Sequence, residues 1–137
     1  MNERNFDAEL ARFAYFLKRS DGYMTRVRRM LNTLMENGVD CPSNVLVPLA
    51  SVLVGYEDAK FKASKCSADK RAEFLEENIA RSITDAANWL TANQPIPWWA
   101  FWMHSGNARK KFQRDNYILL RQLFQKHCPK EMFVTIS

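Results

Sequence analysis

The chain has 137 residues, 20 Lys plus Arg against 15 Asp plus Glu, a net charge of +5 and a pI of about 9.3. That length excludes more than one ordinary domain, and 47% hydrophobic content excludes a disordered chain. The charge is uneven: residues 1–40 sum to +1, residues 41–92 to −1 and residues 93–137 to +5.

The most apolar run, Val45 to Tyr56, is broken by Pro48, Ser51 and Gly55 and is too short to cross a bilayer. The opening residues show no apolar stretch behind a basic one, so a soluble cytoplasmic protein with no membrane partner is expected. Cys41, Cys66 and Cys128 are odd in number and widely spaced, which suits free thiols in a reducing compartment.

Apolar residues recur at helical spacing almost throughout, so the expected fold is all-α, a single compact bundle of five to six helices over residues 1–131 with a tail at 132–137. A first helix is expected from Phe6 to Arg19 with Asn5 as its N-cap, followed by a Ser20-Asp21-Gly22 turn. The second runs from Tyr23 to Asn37 on the stripe Tyr23, Val27, Met30, Leu31 and Leu34, and Gly38 stands where a left-handed C-cap belongs.

A very apolar third helix spans 45–65, with Pro48 tolerable only in its first turn. The fourth, 68–92, buries Leu75, Ile79, Ile83, Ala86 and Leu90 and turns Glu73, Glu76, Glu77, Arg81 and Asp85 to water. Prolines 95 and 97 end it, a short helix is expected at 98–104, and the last helix runs from Ala108 to His127 with Asn107 as N-cap.

On a helical wheel the last helix sets Phe112, Leu119, Leu120 and Leu123 against a basic ridge of Lys110, Arg114 and Arg121. Its first turn carries Arg109, Lys110 and Lys111 at the positive end of the helix dipole, where each cation costs about 0.3–1 kcal/mol. A bound phosphate would offset that cost, and a Lys111–Asp115 pair would relieve part of it. Lys18, Arg19, Arg26, Arg28 and Arg29 form a second basic cluster upstream.

Trp89, Trp98, Trp99 and Trp102 crowd together just before the basic helix. Core, protein interface and base stacking are all compatible with such a cluster, and Trp98, Trp99 and Trp102 are the expected partner interface if there is one.

Enzyme chemistry finds little footing. His104 and His127 are the only histidines, no metal-ligand spacing occurs, and no phosphate loop, dinucleotide fingerprint or nucleophile elbow is present. Neither catalytic residues, nor metal, nor cofactor is expected. The adjacent pairs Glu57-Asp58 and Glu76-Glu77 diverge on a helix and read as solvated faces.

Two stretches resemble a known family. An aromatic-rich opening helix (Phe13, Tyr15, Phe16, Leu17) leads through Gly22 to Val27-Arg28-Arg29. Later, Ile96-Pro97-Trp98-Trp99 and the basics Arg109, Lys110 and Lys111 precede Phe112-Gln113-Arg114-Asp115-Asn116-Tyr117. Together they resemble the CasB family, the small helical subunit of Cascade-type CRISPR surveillance complexes, over about half of the chain, which is shorter than is usual for the family.

The resemblance implies a non-catalytic subunit, present in two copies beside other subunits, whose basic face holds guide RNA, target DNA or the displaced strand. It implies that role for Arg28, Arg29, Arg109, Lys110, Lys111 and Arg114. From the residues alone, the expected nucleic-acid-binding set also includes Arg26 and Arg121. Two rivals are a small helical adaptor or inhibitor of phage or plasmid type acting through the Trp-rich segment, and a helix-turn-helix repressor. For the repressor, Tyr23, Val27 and Leu31 are too apolar to face a groove.

Overall fold

In the computed structural model, residues 6–93 and 105–127 are described, and they form five α-helices with no strand among them. The helices are α1 (Asp7–Leu17), α2 (Asp21–Glu36), α3 (Leu46–Ala63), α4 (Ala68–Ala92) and α5 (Gly106–His127), with a 3-10 turn at Ser43–Val45 ahead of α3. The protein is an all-α bundle. The expected Asn5 cap, the 98–104 helix and the 132–137 tail lie outside the described residues.

Composition decides which helix sits in the middle. α3 is apolar around most of its circumference and buries Val47, Leu49, Val52, Val54 and Tyr56 almost completely, so it becomes the core against which α2, α4 and α5 pack. Pro48 falls in its first turn, as its missing N–H requires. Gly55 permits a close approach to α4, because a Cβ there would stand 2.5 Å from the Ser82 hydroxyl.

The α1–α2 connection is tighter than expected. Lys18 ends α1 in the left-handed conformation (φ 55°), and the Ser20 hydroxyl accepts from the Tyr23 N–H at 3.2 Å, so Asp21 and Gly22 belong to the first turn of α2 rather than to a loop. Gly38 takes φ +62°, the left-handed C-terminal position read from the sequence. Val27 and Leu31 are fully buried against the core.

Two contacts orient the bundle. The Tyr23 hydroxyl lies 2.9 Å from the Ser51 hydroxyl and donates to the Ser51 carbonyl at 3.1 Å, tying α2 to α3. The Tyr56 and Phe124 rings meet at 5.3 Å, tying α5 to α3. Of the tryptophans, Trp89 is core: it is buried between Phe13 (5.4 Å) and Phe16 (5.6 Å) of α1. Trp98, Trp99 and Trp102 lie outside the described residues. No described helix is long and apolar enough to cross a membrane.

Candidate nucleic-acid interface

The N-terminal half of α5 is fixed to the end of α4 by polar contacts. The Thr91 hydroxyl lies 2.8 Å from the Ala87 carbonyl and 3.1 Å from Gln113 Oε1, either of which can take its one proton, and it accepts from Asn116 Nδ2 at 3.1 Å. The helix starts earlier than its sequence suggests, and Asn107 is not its cap. Ser105 takes that place: its hydroxyl accepts from the Ala108 N–H at 3.2 Å and its carbonyl from the Arg109 N–H at 3.0 Å. A hydroxyl reaching the third N–H of the helix satisfies part of what a bound anion would otherwise satisfy.

The wheel reading of α5 needs a correction of about 60°. The buried arc is centred on Leu120 and takes in Phe124 and half-buried Tyr117, two aromatics that the sequence stripe left out. Lys110 and Arg114 are exposed, whereas Arg121 lies nearer the buried arc than the sequence stripe implied and is held by Glu76 of α4. That pairing raises the Arg121 pKa, with the hydrogen bond to Glu76 as the main cause. Arg121 is not a free cation.

The α2 cluster is also depleted. Arg26 is clamped by Asp58 and, at 3.2 Å, by Glu57, and the Asp58 hydrogen bond raises its pKa. The Glu57-Asp58 pair is thus an internal counter-ion, not the solvated face that its adjacency suggested. Arg28 meets Asp7 of α1 at 2.7 Å, and Arg19 meets Asp85 of α4 at 3.2 Å while lying over the Tyr23 ring. Asp85 and Glu76 are likewise paired instead of merely solvated.

What remains is Lys18 at the end of α1, Arg29 on α2 and the quartet Arg109, Lys110, Lys111 and Arg114 on α5. All six are exposed and have no carboxylate within 4 Å among the described residues, and the expected Lys111–Asp115 pair does not form. The two clusters do not merge. α2 and α5 approach each other around Met30, Thr33, Lys126 and His127, the far end of an α5 that is about 33 Å long.

A separate exposed cluster lies near the same end of α4. Arg12, Tyr15 and Phe16 of α1 line a shallow recess with Trp89, Ala92 and Asn93, on the other side of α4 from Thr91. Tyr15 is 89% exposed and Arg12 has no acidic partner among the described residues. The signal available in sequence was Tyr15 following Phe13 and Ala14, which puts it off the buried stripe of α1.

Among the described residues no group of three or more His, Cys, Asp or Glu side chains is placed to hold a metal ion. Cys41 and Cys66 are free thiols, and burial raises the Cys41 pKa. Comparison with known protein families, curated proteins and solved structures finds no match to this chain.

Proposed function

We propose that this chain is a non-catalytic nucleic-acid-binding subunit of a larger ribonucleoprotein, of the kind that the CasB resemblance implies, gripping guide RNA or target DNA by its phosphates. One observation carries the reading: Arg109, Lys110, Lys111 and Arg114 are exposed, lack acidic partners among the described residues, and sit on a helix end held rigid by the Thr91 contacts. Cations that are left unpaired where the helix dipole disfavours them are cations available to an external anion. Tyr15 and Arg12, at the same end of α4, supply an aromatic beside a cation, which suits single strands better than duplex.

The test is fluorescence anisotropy of labelled single-stranded and duplex oligonucleotides between low and moderate salt. Charge reversal of the α5 quartet to Glu is expected to lower affinity by about 10²–10³ for all sequences and to flatten the salt dependence by three to four phosphates. The substituted side chains are exposed, so circular dichroism should not change. Absence of binding at low salt, or equal binding by the reversed protein, refutes the proposal.

A further inference from the structure

The corner between α3 and α4 holds a feature that the charge sums conceal. Residues 60–71 carry five basic side chains, Lys60, Lys62, Lys65, Lys70 and Arg71, against the single acid Asp69, yet the acids elsewhere in 41–92 bring that segment to −1. Arg71 is spent on structure: its Nε donates to the Ala63 carbonyl at 3.1 Å and a terminal nitrogen to the Cys66 carbonyl at 3.4 Å, closing the end of α3. The four lysines are exposed and meet no carboxylate among the described residues.

Beside them opens a mainly apolar cleft of about 450 Å³, walled by Tyr56, Phe61, Ala63 and Leu75 with Lys60, Ser64, Arg71 and Glu57 completing its lining, the Glu57 carboxylate being already held by Arg26. That volume lies within the range of formed ligand and side-chain pockets, roughly 300–1,000 Å³. Phe61 is 66% exposed although it belongs to the most buried helix of the bundle, and the Lys65 ammonium stands 4.6 Å from its ring centroid.

We propose that this corner docks an acidic amphipathic segment of a partner protein, with an apolar side chain entering the cleft beside Phe61 and carboxylates meeting Lys60, Lys62, Lys65 and Lys70. Charge complementarity fixes the sign of the partner, and the recess fixes its chemistry. An oligonucleotide would satisfy the lysines but has no aliphatic side chain for the cleft, and the Phe61 ring already has a lysine over it. Apolar anchors at helical spacing flanked by charge are how helices fill such grooves. None of these residues contributes to the α5 quartet, and they lie at the opposite end of α4, so this proposal and the nucleic-acid reading fail separately.

The experiment is an amide-resolved NMR titration of the full chain with synthetic helical peptides bearing Leu, Phe or Trp anchors between glutamates. Isomers of the same composition with scattered anchors, versions with Lys for Glu, and an oligothymidine serve as comparisons. The acidic amphipathic peptides are expected to shift Tyr56, Phe61, Ala63 and Leu75 and to bind at least about ten-fold tighter than either peptide control. Phe61→Ala should weaken them about ten-fold, and Lys62→Glu with Lys65→Glu should transfer the preference to the Lys peptides. Unmoved corner resonances at millimolar peptide, equal binding by the scattered isomers, tighter binding of oligothymidine at these amides, or corner shifts that follow protein concentration alone would each overturn it.

Discussion

α2 and α5 both carry arginines and both lie against α3, but α2 has most of its cations paired, all but Arg29, while α5 keeps all but Arg121 of its arginines unpaired among the described residues. α3 presents Glu57 and Asp58 to α2 and α1 presents Asp7, so Arg26 and Arg28 are paired with carboxylates at the bundle surface. The end of α4 presents only a hydroxyl to α5, so the polar contacts there position the helix without consuming its cations. Cations counted along a chain are therefore not cations available to a ligand. The neighbouring helix decides.

The largest expected effect tests whether binding follows α5 alone. Phe124 and Leu31 are each about fully buried, the first holding α5 to α3 and the second holding α2 in the core. Phe124→Ala should cost about 3–5 kcal/mol and Leu31→Ala about 2–5 kcal/mol, read by urea unfolding. Under folding conditions, amide exchange should quicken in α5 for the first and in α2 for the second, and only Phe124→Ala should weaken oligonucleotide binding. Equal weakening by both would erase the distinction between the helices.

A smaller effect is expected from removing the α2 counter-ions. Glu57→Gln with Asp58→Asn leaves Arg26 unpaired and deletes two negative charges, so oligonucleotide affinity should rise about three- to ten-fold at low salt. Arg26→Ala should lower affinity by less than about two-fold, because that cation is already engaged and only one unit of net charge is lost. Either change should cost under about 1 kcal/mol of stability, since the pair is partly exposed. A fall as large as that caused by removing one residue of the α5 quartet would show that the clamp does not silence the arginine.

The sequence carried the fold further than it carried the site, and the reason is physical. α4 runs from Ala68 to Ala92 as its periodicity predicts, and α3 is central because its apolar residues cover most of its circumference. Both follow from properties local to one helix. The fate of Arg26 and Arg121 depends on Asp58, 32 positions away, and Glu76, 45 positions away, and nothing in local periodicity links them. In α5 the failure was local: leaving Tyr117 and Phe124 out of the stripe rotated the expected face and turned a half-buried arginine into a ridge residue. Phe61 was illegible for the opposite reason, being an apolar side chain in an apolar helix that happens to face outward.

The smallest expected effect concerns how α2 is held in place. Burial raises the Tyr23 pKa above its ordinary value of 10.0, which outweighs the opposing effect of the Ser51 hydrogen bond. The folded state therefore keeps its phenolic proton to higher pH than the unfolded chain does. Above about pH 10 the unfolded state binds fewer protons, so stability contributed by Tyr23 is fully present below that pH and is lost as pH rises through the folded value. Tyr23→Phe removes the hydroxyl contacts with Ser51, a cost of about 1 kcal/mol at neutral pH, but it also removes this alkaline loss. Urea midpoints of the two proteins, measured from pH 7 to pH 11, should accordingly converge as pH rises. Parallel curves would mean that the Tyr23 hydroxyl ionises as freely in the folded protein as in the unfolded chain, and coincident curves that α2 is held by Val27 and Leu31 without help from the Ser51 contacts.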